Sequence, residues 1–186
     1  LAPGVRTVSG SFIMNKDGQA AYLYADCGVV IMPTEKQLLD IASESVKTWK
    51  CVFPDVEPVV AFLSFSTKGS ASHELQEKMA TVAAKFRELH HDVISDGEMQ
   101  FDAAFDASIG ASKAPGSKVP GRANCFIFPD LGAGNIAYKI TQRLAGFEAY
   151  GPILQGLAKP FCDLSRGSTV ADIVASCYIN LRKARL

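Results

Sequence analysis

Val59-Val60-Ala61-Phe62-Leu63, followed by Ser64-Phe65-Ser66-Thr67-Lys68-Gly69-Ser70, is the stretch on which the fold turns. Five consecutive apolar residues do not alternate as a half-solvated strand would. They fit a strand covered on both faces, as in a parallel sheet. A long helix is expected next, from about Ser72 to His90, with Leu75, Met79, Val82, Ala83, Phe86 and Leu89 on one face. Strand, small polar loop with a lysine, then helix is the order that sets a ligand at the carboxyl end of a parallel strand, so Ser66, Thr67 and Lys68 are candidate ligand contacts. The loop lacks the Gly-x-x-x-x-Gly-Lys-Ser/Thr spacing of a P-loop.

Working outward, Val5 to Met14 and Ala20 to Ala25 read as strands joined by hairpin chemistry at Asn15 to Gly18, and Asp26-Cys27-Gly28 turns the chain away. Thr34 and Gln37 form a capping-box start for a helix from Glu35 to about Lys50, with Leu38, Leu39, Ala42, Val46 and Trp49 on one side. Val93-Ile94 predicts a short strand running into Asp96-Gly97-Glu98-Met99-Gln100-Phe101-Asp102, whose carboxylates read as an acidic turn and not as an EF-hand cation loop. Ser112 to Gly121 is the least regular segment. Cys125 to Phe128 predicts another buried strand, then a turn, Leu131-Gly132-Ala133-Gly134-Asn135, before a helix from Ile136 to about Ala145. Gly134 and Asn135 in that turn either offer backbone donors to an anion or serve a tight turn needing positive φ. Strands alternating with helices predict an α/β fold, a mixed or parallel sheet with helices on both faces.

With 186 residues and 48% hydrophobic content the chain can bury one substantial core. Its formal charge is zero, so bulk electrostatics gives no reason to expect a nucleic-acid or anionic-membrane partner, and any anion site must be local. No apolar run approaches the roughly 18 residues of a membrane span and no signal-peptide pattern is present, which predicts a cytoplasmic protein. The five cysteines, Cys27, Cys51, Cys125, Cys162 and Cys177, are odd in number, widely spaced and read as reduced core residues. The histidines are His73 and the pair His90-His91 at a helix end, which reads as a solvated dipole partner, and no metal site is expected. The chain opens on Leu1-Ala2-Pro3-Gly4 and runs straight into a strand, which predicts a processed chain or a piece of a longer one.

The chemistry is expected at Asp163-Leu164-Ser165-Arg166-Gly167-Ser168-Thr169-Val170-Ala171-Asp172. Val170, Ile173, Val174, Cys177, Tyr178 and Leu181 recur at the spacing of an amphipathic helix with one buried face, so a helix begins near Thr169 and its first N–H groups point back over Ser165, Arg166 and Gly167. Arg166 adds a planar fork of donors that suits phosphate oxygens. Plain readings stand beside these: Thr169 and Asp172 have capping-box spacing, and Ser165 and Arg166 fit an exposed turn.

Several of these segments together carry a family resemblance. Ser64-Phe65-Ser66-Thr67-Lys68-Gly69-Ser70-Ala71, Asp96 to Ala104, Ser112 to Ser117, Phe126 to Leu131, Gly134 to Lys139, Gln142-Arg143-Leu144, Gly151-Pro152-Ile153 and Asp163 to Gly167 occur in the order found in phosphate acetyltransferases (phosphotransacetylases), which the chain resembles over nearly its whole length. The resemblance implies the isocitrate/isopropylmalate dehydrogenase-like phosphotransacetylase fold with most of the first domain missing. Residues 1–153 would be the second α/β domain and 154–186 a tail packing on the absent first domain.

The same resemblance implies reversible acetyl transfer between coenzyme A and phosphate, with CoA, acetyl-CoA, phosphate and acetyl phosphate as small-molecule partners, no cofactor and a homodimer. Asp172 resembles the base that takes the CoA thiol proton, Ser165 the residue that orients the thiol and Arg166 the group that holds phosphate or stabilises developing charge. Arg143 and Tyr150 match positions near the substrate cleft, though each also fits packing or a surface ion pair. Ser168 stands where many members have cysteine. The alternatives are an acetyl-CoA-sensing regulatory domain of the kind appended to certain malic enzymes, a phosphate butyryltransferase, or a phosphate- or nucleotide-binding α/β module. Retention of Ser165, Arg166 and Asp172 together argues against the sensor.

Overall fold

In a computed structural model, which describes residues 1–164 and 166–185, the Val59–Leu63 run is a strand buried at all five positions. Val60 and Phe62 belong to one core cluster, and Val59, Ala61 and Leu63 to the other. Both faces are covered, as the unbroken apolar run requires.

The strands are β1 (Ser9–Asn15), β2 (Tyr22–Ala25), β3 (Val59–Leu63), β4 (Ile94–Met99), β5 (Cys125–Ile127), β6 (Glu148–Gln155) and β7 (Phe161–Cys162), and they form a seven-stranded sheet in the order β4-β3-β5-β2-β1-β6-β7. β4, β3, β5 and β2 run parallel, whereas β1 pairs antiparallel with both β2 and β6, and β7 antiparallel with β6. The sheet is therefore mixed. One face is covered by α1 (Glu35–Val52), α2 (Glu74–Leu89) and α6 (Val170–Lys183), which supply Leu38, Trp49, Phe86 and Ile179 to the first cluster. The other carries α3 (Phe101–Phe105), α4 (Ala107–Lys113) and α5 (Leu131–Ala145). β6 runs through residues 153 and 154, and α6 packs on α1 and β6 through Ser176 and Ile179, so the apolar face expected to be buried, Val170, Ile173, Val174, Cys177, Tyr178 and Leu181, is instead exposed.

Three further local expectations are corrected. Asp96-Gly97-Glu98 is strand and not turn, because its carboxylates find donors beside the sheet edge: Asp96 takes Arg87 Nη1 at 2.7 Å, and Glu98 takes Ser66 Oγ at 3.0 Å and the Gly69 N–H at 2.8 Å. The helix expected from Ile136 starts at Leu131, because Asp130 caps it by accepting the Ala133 N–H at 2.9 Å. Gly134 and Asn135 thus lie within α5 and not in a turn before it. A Cβ on Gly134 would stand 2.1 Å from the Asp26 carbonyl oxygen, so the glycine serves close approach, not a positive φ. His90, expected to be solvated, is half-buried, stacks on Phe86 at 4.4 Å and shares a 2.8 Å hydrogen bond between Nε2 and Ser43 Oγ.

The turn at Asp26 ties these layers together. Its carboxylate accepts the N–H groups of Gly10 (3.0 Å), Gly28 (2.8 Å), Val29 (3.2 Å) and Val30 (2.6 Å), and the residue is 2% exposed. Asp26→Asn points an amide donor at this donor set, and the expected cost is about 2–4 kcal/mol in urea unfolding. Asp130→Asn, which exchanges one good cap for another, is expected to cost only a few tenths, roughly, and serves as the control.

Candidate active site

α6 begins with the capping box that the sequence suggests. Thr169 Oγ1 accepts the Asp172 N–H at 3.2 Å, and the Asp172 carboxylate accepts the Thr169 N–H at 2.7 Å. Asp172 also lines a cleft of about 360 Å³ with Gly167, Ser168, Phe12, Lys139, Arg143 and others. The cap and the functional reading are thus compatible, since the cap fixes where the carboxylate stands.

Opposite the turn, α5 presents Tyr138, Lys139, Gln142 and Arg143, residues spaced to share one side of a helix. Tyr138 is held by stacking on Phe12 at 4.1 Å with planes 13° apart. Lys139 donates to Asn135 Oδ1 at 2.8 Å, and Asn135 Nδ2 donates to the Cys27 carbonyl at 3.1 Å, so the helix is anchored to the Asp26 turn one helical turn before the cleft. Arg143 is exposed and, among the described residues, pairs with no carboxylate. The floor is Ala149 and Gly151 of β6. Gly151 has φ +156°, and a Cβ there would meet the Ser11 carbonyl oxygen at 2.6 Å and the Phe12 ring at 2.9 Å, so only glycine admits this close crossing of β1 and β6.

Tyr150 is half-buried, and its hydroxyl is pushed above the ordinary phenol value, first by burial and then by the negative charges of Glu148, Asp172 and Asp17. Its ring packs against the first core cluster and does not line the cleft. Arg166 is exposed beside Gly167 but does not line the cleft, and Ser165 lies outside the described residues.

The remaining expected contacts stand elsewhere. Ser66 and Thr67 are buried at the end of β3, with β5, β2 and β1 between that strand and β6, about 19 Å at ~4.8 Å per strand. Their side chains are engaged: Ser66 Oγ with Glu98, and Thr67 Oγ1 as acceptor for the Gln100 N–H at 2.9 Å. Lys68, at φ +51°, pairs with Asp96. The structure therefore brings Arg143 and Asp172 to one cleft, leaves Tyr150 outside its lining, and leaves Ser66, Thr67 and Lys68 toward the opposite sheet edge. Phe12, Tyr138, Lys139, Gln142, Ala149 and Gly151 are lining residues with no role assigned from the sequence. Tyr138, Lys139, Gln142 and Gly151 fall within the resembling motifs, which were their only signal.

At Asp96, burial alone would raise the carboxyl pKa, but hydrogen bonds from Lys68, Ser117 and the Gly97 N–H, with the Lys68 charge, outweigh it and hold the value below the ordinary 3.8. A depressed carboxylate stabilises the fold above its unfolded value and loses that contribution as pH falls through the folded value. Lys68→Met is thus expected to cost about 1 kcal/mol at pH 7, discounted for the partial exposure of Lys68. Urea unfolding repeated below the ordinary value of 3.8 should show the gap between variant and parent closing.

Against known proteins, residues 1–181 match the family model described as phosphate acetyl/butaryl transferase. The phosphate acetyltransferase of Bacillus subtilis (strain 168) is 49% identical over 181 residues, covering 97% of this chain and 55% of the relative. A phosphotransacetylase from Streptococcus pyogenes superposes with a TM-score of 0.94 at 46% identity, covering 99% of this chain and 56% of that one. The EutD phosphotransacetylase from Staphylococcus aureus superposes at 0.91 with 42% identity, covering 98% and 56%. The chain spans about half the length of the curated relatives it matches. It has the mixed, helix-covered sheet of these acyltransferases, and it belongs to the phosphate acetyl/butaryl transferase family.

Proposed function

We propose that the chain contributes the Asp172 side of a phosphate acetyltransferase site, acting in the reaction acetyl-CoA + phosphate = acetyl phosphate + CoA. The observation that carries this reading is the cleft that Asp172, fixed by its cap, lines together with Arg143, Gly167 and Ser168, on a chain about half identical to enzymes of that name. Asp172 takes the CoA thiol proton, the sulfur attacks the acetyl carbonyl of acetyl phosphate directly, and phosphate leaves with the bonding pair. Ser165 orients the thiol, and Arg166 and Arg143 hold the phosphate. An ordinary thiol near ~8.5 and a carboxylic acid near ~3.9 leave full proton transfer about 6 kcal/mol uphill. The step therefore relies on positioning and on the arginine charges, with proton loss and attack proceeding together. It needs no metal and no acyl-enzyme.

Residues 1–153 act as the second domain, and the 154–186 tail serves the portion of the relatives that the match leaves uncovered. The exposed apolar residues Val170, Val174, Tyr178 and Leu181 on α6 support that role for the tail. Ile136, Ile140 and Leu144, an exposed apolar stripe at i, i+4 and i+8 on α5, support a homodimer. CoA thioesters and phosphate as substrates put the reaction in the cytoplasm, in acetate metabolism.

The test measures acetyl phosphate formation from acetyl-CoA and phosphate, by this chain alone and by this chain joined to the portion its relatives carry beyond it. Activity in the joined form, reduced about 10²-fold or more in kcat by Asp172→Asn, is expected. The asparagine oxygen still accepts the Thr169 N–H, so unfolding of that variant should shift by less than ~1 kcal/mol, whereas Thr169→Ala should cost about 1 kcal/mol. An unchanged rate in Asp172→Asn removes the base assignment. Acetyl-CoA binding without turnover assigns a sensing role instead.

A further inference from the structure

Lys183, near the end of α6, shares with Lys16 and Lys78 an ammonium held by a backbone carbonyl, and it lines two clefts. Its Nζ donates to the Leu154 carbonyl at 2.9 Å, and among the described residues no carboxylate pairs with it. Lys47, Lys50, Lys68, Lys85 and Lys113 each have an acidic partner within 3.3 Å. Its side chain lines a cleft of about 190 Å³ with Glu44, Lys47, Thr48, Lys159 and Pro160, and it borders a wider one, about 830 Å³, with Cys177 and Asn180. Glu44 is the one carboxylate lining either cleft among the described residues, and it is engaged by Lys47 at 2.6 Å. Lys159 and Lys183 line both, so positive charge is in excess where the two clefts meet.

We propose that Lys183 is a self-modification site whose side-chain amine takes the acyl group of an acyl phosphate drawn into the smaller cleft by Lys159. The amine lone pair forms the bond to the carbonyl carbon, and the bond from that carbon to the phosphate oxygen breaks. Inorganic phosphate departs with the electron pair, and the displaced amine proton passes to phosphate or water. The product is an amide whose N–H can still donate to the Leu154 carbonyl. Burial supports the chemistry by lowering the ammonium pKa, while the Cys162 thiol, Glu44 and the Cys51 thiol act in the opposite direction. More of the amine is then in its neutral, nucleophilic form. The identity of the donor rests on the function proposed above, since that reaction makes or consumes acetyl phosphate.

The chain is incubated with synthetic acetyl phosphate without CoA, and acetylation of each lysine is followed by peptide mass spectrometry across pH. Lys183 should be acetylated about threefold faster than exposed Lys36 or more, with its rate levelling off at a pH below the ordinary lysine range. Lys159→Ala should slow acetylation of Lys183 by acetyl phosphate but not by the uncharged donor N-hydroxysuccinimidyl acetate. Lys183→Arg keeps the charge and, with an unchanged circular dichroism spectrum, should remove the mark. Equal or slower acetylation than Lys36, or a Lys159→Ala effect that is absent or the same for both donors, overturns the proposal. Because the donor is added ready-made, loss of turnover counts only against the enzymatic reading, and loss of the mark counts only against this one.

Discussion

The Asp26 carboxylate, with four backbone N–H groups pointing into it, is the constraint on which the rest of the structure depends. It closes the exit from β2 against the start of β1, where the Cys27 N–H also reaches the Gly10 carbonyl at 2.8 Å. The adjoining backbone then becomes the seat for α5: Gly134 packs against the Asp26 carbonyl, and Asn135 holds the Cys27 carbonyl. A buried carboxylate without its donors would be costly, and with them it makes one conformation of this turn much better than any other.

From that seat α5 runs down one face of the sheet toward the β1–β6 crossing. Asn135 and Arg143 are eight residues apart, about 12 Å along the axis at ~1.5 Å per residue. The distance between the structural anchor and the charged end of the helix is thus set by helix geometry. The second wall of the cleft arrives from the far end of the chain, through the capped start of α6. Two helix ends supply the charged groups, Arg143 near the C-terminus of one and Asp172 in the first turn of the other, each where the helix dipole favours its sign. The stacked pair Phe12 and Tyr138 fills the space between sheet and helix.

Much of this was legible in the sequence, for reasons that differ by element. The β3 run declared itself because burial on both faces leaves no polar position, and the Thr34–Gln37 and Thr169–Asp172 caps because they depend only on neighbours in sequence. Asp96 to Met99 misled because acidic residues normally mark turns, and their partners Arg87, Lys68, Ser66 and Gly69 are contributed by other segments. The short helices α3 and α4 lacked enough turns to show a period. Gly134 reads as a turn residue until the carbonyl it must pass is known. At the site, Asp172 and Arg143 stood in recognisable motifs. That Lys68 and its neighbours would lie a sheet-width away from them depends on strand order, which the sequence does not display.

The two margins of the sheet have a bearing on how copies of this chain can meet. At one, β4 carries Asp96 with Arg87 and Lys68 gathered around it; at the other, β7 is only two residues long. Neither offers the long, flat, uncharged ribbon of N–H and C=O groups that a strand from another molecule could extend. Continuation of the sheet from one molecule to the next is thereby discouraged at both ends. The helical faces are the surfaces on which side chains and not backbone would decide the fit, so a partner there would be chosen by shape and not by mere extendedness.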